Sequence, residues 1–336
     1  MPGSKRLLTV TATAAGLCTA AVATPADGTT IAYTSQGATS SHVWVMRGDG
    51  TEKDRLTSGS VDDVSPSLAP GGGRLVFVRR LAGRRDDLYR VGADGAGLTR
   101  LTRTAVAEAN PAWAPRGGRI AFEAGSALGS SEIVVVRSDG GGRRALTSNS
   151  VDDANPAWAP GGRRLAFVRY VRGRNAEIYA VAVDRTGLAR LTRSRVQDFD
   201  PSWSSTGRIA WVRSHASESE LWVMLPDGSR KQRLVRSNRA LGSPAWSPDG
   251  SRIAFTVWEG EDAELFVVRA NGSRLRRLTR NDVDDTGPIW SPGGARIAFT
   301  RFTGSSNDVW SMRRNGSDKR RLTTGAAHEA AAGWAR

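Results

Sequence analysis

The side chains able to do covalent or metal chemistry are few in this 336-residue chain. Histidine occurs at His42, His215 and His328, and Cys18 is the single cysteine. No His-x-x-x-His or Cys-x-x-Cys spacing is present, so a zinc site has no sequence support. No Gly-x-Ser-x-Gly elbow, phosphate-cradling glycine loop or dinucleotide fingerprint occurs either. No cofactor is expected. Carboxylates are the one chemically capable type that recurs at a fixed spacing. Asp63, Glu108, Asp153, Asp198, Asp285 and Glu329 each stand five residues before a Trp, or before Leu68 in the first copy, and Leu241 breaks the series. Asp62, Asp152 and Asp284 add a second acid in three copies. A ring of such carboxylates would attract a metal ion or a basic peptide. The same residues could instead accept backbone N–H groups in Asx-turns or pair with arginines of a neighbouring repeat.

The elements that position these acids are read from the repetition around them. Four phrases recur in order: Pro-x-Trp followed by a turn, an RIAF-like run, an acid before an aromatic run, and RLT. The repeat prolines fall at Pro66, Pro111, Pro156, Pro201, Pro244 and Pro288, at spacings of 45, 45, 45, 43 and 44 residues. Each phrase is a short apolar run rich in β-branched and aromatic residues, bounded by Gly, Pro, Asn or Asp, which predicts a strand. The Asp-Gly and Asn-Gly pairs from Asp49-Gly50 to Asn315-Gly316 predict hairpin turns between the third and fourth strands. Four strands in a period of about 44 residues are the mark of propeller blades.

Three phrases occur seven times and Pro-x-Trp six times. The missing copy is supplied by HEAAAGWAR, where Trp334 follows Leu322 by the 12 residues that separate Leu56 from Leu68. The fold class predicted is therefore all-β: a seven-bladed β-propeller of four-stranded antiparallel blades, with N- and C-terminal strands sharing one blade. Trp113, Trp158, Trp203, Trp246, Trp290 and Trp334 take one blade position and are assigned to the core, as is Trp211 in the Phe position of RIAF.

The repeat, best seen in SPAWSPDGSRIAF at Ser243–Phe255, resembles that of the TolB-like propeller family, and the resemblance runs over the whole chain after its first residues. It implies a propeller that works by binding, as a scaffold for a protein or envelope-polymer partner. Other propellers of this kind resemble oligogalacturonate lyase, so the alternative implied is an enzyme of lyase-like or metal-dependent chemistry at the channel mouth.

Lys5 and Arg6, the small and apolar run Leu7–Ala23 and the Ala21-Val22-Ala23 site predict a secretory leader, residues 1–23, followed by the propeller, 24–336. The product would be secreted or held in the periplasm or cell envelope, without a membrane span. Leu17 before Cys18 argues against lipidation. The formal net charge of +15 comes almost wholly from arginine. These arginines are spread through every repeat, so no nucleic-acid partner is expected, and the protein is expected to be a monomer.

Alternating strand direction places the short PGG and DG turns on one face of the ring. The link after RLT and the variable loop after RIAF lie on the other. Variable loops on a rigid scaffold are where binding sites are built. The expected contacts there are Arg84, Arg85, Arg172, Arg174, Trp258 and Phe302 outside, with Asp63, Glu108, Asp153, Asp198, Asp285 and Glu329 toward the centre. Trp258 is assigned to a variable loop outside the periodic pattern.

Overall fold

The computed structural model describes residues 28–81, 86–125, 129–171, 175–260 and 262–336. The expected leader, residues 1–23, lies outside the described residues. The strands form seven four-stranded antiparallel sheets, arranged as a propeller. Six of these blades are contiguous in sequence. Blade II, for example, runs inner to outer as Asp63–Leu68, Arg74–Arg79, Asp87–Gly92 and Thr99–Arg100. Blade I takes its inner strand, His328–Ala335, from the chain end and its other three, Thr30–Gln36, Ser41–Arg47 and Asp54–Arg55, from the beginning. Trp334 lies opposite Ile31 in that pairing. Blades III to VII follow in chain order, with inner strands Glu108–Trp113, Asp153–Trp158, Gln197–Trp203, Leu241–Trp246 and Asp285–Trp290.

Alternation within each strand puts side chains on both faces of a blade, and both faces are covered by neighbouring blades. The buried apolar residues accordingly fall into seven clusters, one between each pair of adjacent blades. The cluster of Ile31, Tyr33 and Met46 with Ala298, Val309 and Leu322 closes the ring between blades I and VII. The RIAF aromatics Phe77, Phe122, Phe167, Trp211, Phe255 and Phe299 are fully buried.

Three of the repeated tryptophans tie neighbouring inner strands together. The indole N–H groups of Trp158, Trp246 and Trp290 donate to the carbonyls of Ala112, Ser202 and Ala245 in the preceding blade, at 2.8, 3.1 and 3.0 Å. The threonine of RLT has a similar linking role within a blade. Thr102 Oγ1 accepts the amide of Leu88 at 2.9 Å, and Thr57, Thr147, Thr192, Thr279 and Thr323 do the same in their blades. Val235 takes this place in blade V, where the outer strand extends to Gln232–Ser237 and pairs along its length instead.

Gly316 shows why the hairpin turns need glycine. Its φ is +82°, and a Cβ there would lie 2.8 Å from the carbonyl oxygen of Leu278 in the preceding blade, so a side chain is excluded both by conformation and by space.

Candidate functional site

The periodic acids do not open on the channel. Asp63, Asp153, Asp198 and Asp285 are completely buried. Each makes two bonds to an arginine at the end of the second strand of its own blade: Arg79, Arg169, Arg213 and Arg301, at 2.6–2.8 Å. The guanidinium in turn lies over the aromatic ring of the third strand, at 4.7 Å for Tyr89 and Tyr179, 5.1 Å for Trp222 and 4.4 Å for Trp310. Acid, arginine and aromatic thus form one stack across three strands. The expected carboxylate ring is corrected to a set of internal ion pairs, and the partner arginine belongs to the same repeat, not a neighbouring one.

The remaining members vary around that theme. Glu108 has Ala124 opposite it in place of arginine. It is bonded by Thr102 and Thr104, and burial pushes its carboxyl above the ordinary range. Glu329, half-buried, accepts from Ser35 at 3.3 Å, and burial raises it likewise. Asp62, Asp152 and Asp284 reach across to the preceding blade, accepting the amides of Ser41, Ser131 and Ala263 at 2.7–2.8 Å. The acids before the aromatic strands are also partnered within their blades: Asp87 by Arg100, Glu177 by Arg190, Glu264 by Arg277 and Asp308 by Arg321.

The channel itself is lined by residues one turn further along. Between the acid and the Trp, inner strands carry a β-bulge, seen as a register shift between Val64 and Ser67 in blade II. The residue before the repeat proline there adopts a left-handed conformation: Ser65, Asn110, Asn155, Asp200 and Ser243 have φ of 49–54°. Non-glycine residues in this region store local strain, and the bulge re-aims their side chains. These five residues and the adjoining prolines line a channel segment of about 430 Å³.

Asp200 is the one carboxylate of that lining. It has no arginine partner among the described residues. Its Oδ2 accepts the amide of Ser243 at 3.0 Å, and burial pushes its carboxyl above the ordinary range. In the next blade Trp258 lies against Gly242, where a Cβ would meet the indole ring at 2.9 Å and Asp200 Oδ2 at 3.5 Å. Trp258 ends up in the strand Arg252–Glu259, paired with Ala263, not in a loop. It shares its repeat position with Tyr170 and Phe302: their amides donate to Ala240, Asp152 and Asp284 carbonyls at 2.8–3.0 Å. All three rings are exposed, by 38%, 42% and 36%. Burial and the nearby carboxylates of Glu123, Asp200 and Asp152 push the Tyr170 phenol up. Glu123 accepts the side chain of Asn110 and the amide of Asn155 at 2.8 and 2.7 Å, which joins it to the channel lining.

Of the twelve site residues expected from sequence, Trp258 and Phe302 therefore sit exposed on the variable-loop face, and the six acids sit inside the blades. Arg84, Arg85, Arg172 and Arg174 lie outside the described residues. Asp200, Tyr170, Asn110 and Asn155 were missed. Aligning the repeats would have flagged Asp200, the lone acid before a repeat proline, and Tyr170, in the column of Trp258 and Phe302.

His42 and His328 flank the end of the strand Thr30–Gln36. His42 is buried against Ser40 Oγ at 2.9 Å, and burial lowers its pKa. His215 lies in blade V, 3.7 Å from Glu220. Among the described residues no group of three or more His, Cys, Asp or Glu is placed to hold a metal ion. No helix among them is long and apolar enough to cross a membrane.

Comparison with known proteins agrees with this architecture. Over 52 residues the chain is 48% identical to the Tol-Pal system protein TolB of Nitrosomonas europaea and 46% identical to that of Bordetella pertussis. The matched stretch is 16% of this chain and 12% of each relative. The structure of TolB from Acinetobacter baumannii superposes with a TM-score of 0.60 at 17% identity, covering 91% of this chain and 82% of that one. An oligogalacturonate lyase in complex with manganese gives a TM-score of 0.65 at 11% identity, covering 87% and 84%. A puromycin hydrolase gives 0.73 at 16%, covering 88% and 52%. At these identities the likeness is one of fold, and the fold hosts both binding proteins and enzymes. The family described as TolB beta propeller domain matches residues 4–206 and 164–336, and the chain belongs to that family.

Proposed function

We propose that the protein is an exported, non-catalytic binding protein whose variable-loop face takes a protein or polymer partner of the cell envelope. The observation that carries this reading is the arc of Tyr170, Trp258 and Phe302, three exposed aromatics at one repeat position on that face. Exposed large aromatics on a rigid scaffold are favoured interface anchors, since they bury much area at little conformational cost. Trp258 is backed by Gly242 and stands beside Asp200. The face therefore offers an aromatic wall next to a carboxylate without an arginine partner among the described residues, a combination suited to a cationic side chain of the partner. The matches to a protein named for the Tol-Pal system support a role in a protein assembly. The leader-like residues 1–23 support export to the periplasm or beyond. Within this reading the protein acts as a monomer and carries no cofactor.

The test is affinity capture from envelope extract with the wild-type chain and with a Trp258→Ala, Phe302→Ala double variant. A partner retained by the wild type and lost by the folded double variant is the expected result. Retention of every partner by both would place binding elsewhere and defeat this assignment.

A further inference from the structure

A second site lies on the opposite, short-turn face, and comparing two blades reveals it. In blade VII a single carboxylate organises three arginines. Asp318 accepts Arg296 Nη1 at 2.7 Å and Arg320 Nε at 2.9 Å, and Arg313 Nε lies at 3.5 Å. These bonds hold Asp318 down at about 2. Arg296 gains further support from Ser311 Oγ at 3.0 Å.

Blade VI reproduces this arrangement with its anion removed. Arg252 pairs with Arg269 in register as Arg296 pairs with Arg313. Arg276 faces Val267 as Arg320 faces Ser311. The left-handed turn residue, Asp318 with φ 52° in blade VII, is Arg274 with φ 57° in blade VI. The acid is thus replaced by a fourth cation, and the supporting serine by valine. Arg314 of blade VII adds a fifth. Arg252, Arg269, Arg274, Arg276 and Arg314, with Val267, Val268 and Asn315, line one cleft of about 170 Å³. None of the five has a carboxylate within salt-bridge distance among the described residues. The nearest acid in sequence, Asp249, is bonded by Ser247 and Ser251 at 2.5 and 2.8 Å, and Arg252 acts on it only from beyond ion-pair distance. Arg252 and Arg269 are half-buried, where an uncompensated charge is least well served by water.

We propose that this cleft binds a phosphate oxyanion, supplied from outside where blade VII supplies Asp318 from within. Several guanidinium forks converging on one small cleft match the tetrahedral, multiply charged oxygens of a phosphate better than a single carboxylate, because each fork can donate two parallel bonds. The phosphate could be free in solution or could be the headgroup of an anionic lipid; the chemistry recognised is the same.

The experiment uses the full chain, titrated calorimetrically with inorganic pyrophosphate at fixed ionic strength, alongside Arg274→Asp and, as a control in the outer strand Arg144–Ala145 of blade III, Arg144→Asp. Both variants make the same charge change on the turn face, but only the first rebuilds the blade VII arrangement, so it should fold. Saturable binding by the wild type, weakened at least about tenfold in Arg274→Asp and within about twofold of wild type in Arg144→Asp, is expected; tenfold corresponds to about 1.4 kcal/mol. If Arg274→Asp fails to fold, Arg252→Gln replaces it with the same expectation. Equal weakening in Arg144→Asp would mean diffuse attraction and would overturn the site, as would absence of saturable binding by the wild type. Sedimentation with phosphatidylglycerol vesicles then separates the sources. Pelleting that depends on Arg274 assigns the phosphate to a lipid headgroup. Pyrophosphate binding without pelleting assigns it to a soluble phosphate.

Discussion

Leu241 faces Val257 across the two inner strands of blade VI, in the register where Asp63 faces Arg79 and Asp153 faces Arg169. The blade that lacks the acid lacks the arginine too, and two apolar side chains fill the space. An ion pair buried this deeply is costly to break from one side, yet replaceable as a unit by apolar groups.

Asp153→Leu or Arg169→Val alone should therefore destabilise the protein by about 3–5 kcal/mol, because each leaves a buried charge without its partner. The double variant Asp153→Leu, Arg169→Val should return close to wild-type stability, copying blade VI. Urea denaturation of the four proteins closes the cycle. An additive double variant would show that the pair acts as two independent residues.

The raised carboxyl of Asp200 predicts a pH-dependent effect. An unfolded Asp ionises near 3.9, and the folded one ionises later. Between those two pKa values the unfolded state loses its proton first, so ionisation costs stability as pH rises, and the full cost is present above the folded pKa. Asp200→Asn should then raise the melting temperature at pH 7 and leave it unchanged at pH 3. A stabilisation of equal size at both pH values would show that something other than the charge is responsible.

Asp318 runs the other way. Its folded carboxyl titrates at about 2 under the hold of Arg296 and Arg320, below the unfolded value. Its contribution is present above pH 4 and is lost as pH falls toward 2. Asp318→Asn should flatten the acid limb of the stability profile over that window, and an unchanged limb would count against the three-arginine arrangement.

Trp258→Ala removes an exposed ring that covers Gly242. The fold should tolerate it, with a stability change within about 1 kcal/mol, while binding of a captured partner falls by at least about 30-fold, the effect of losing an anchor worth about 2 kcal/mol. Surface plasmon resonance with that partner measures the second quantity and thermal unfolding the first.

Deleting Ala330–Arg336 removes most of the inner strand of blade I, including Trp334, whose indole donates to Thr29 Oγ1 at 3.0 Å. The melting temperature should drop by about 10 °C or more, since the cluster between blades I and VII loses Ala331 and Trp334 and the strand Thr30–Gln36 loses its inner partner. An unchanged melting temperature would contradict ring closure.

The blades were legible because each repeat phrase carries its own strand and turn chemistry, and Trp334 announced the shared blade by spacing alone. The pairs Asp63–Arg79 and Asp153–Arg169 were legible in principle as well. The arginine follows Asp63, Asp153 and Asp285 by 16 residues and Asp198 by 15, and Val257 takes its place where Leu241 replaces the acid. What hid the channel lining was backbone conformation. A left-handed residue inside a strand overrides simple alternation, so the side chains that reach the channel are those of Asn155 and Asp200, not those of the acids two residues earlier. The arginine cleft was hidden for another reason. Arg274 looks like one more arginine among many until register places it on the position of Asp318.

Joining residues 30–36 to residues 328–335 also orders events in time. Ser35 and Glu329, which share a hydrogen bond, are 294 positions apart. The strands Thr30–Gln36 and Ser41–Arg47 are synthesised before the other six blades but find their inner neighbour only once His328–Ala335 has been made. Until then blade I is a three-stranded sheet with an unpaired edge of the kind that recruits foreign strands. Contacts so distant in sequence form slowly, so a holding factor that shields Thr30–Gln36 during synthesis or export would act on the most vulnerable stretch of the nascent protein.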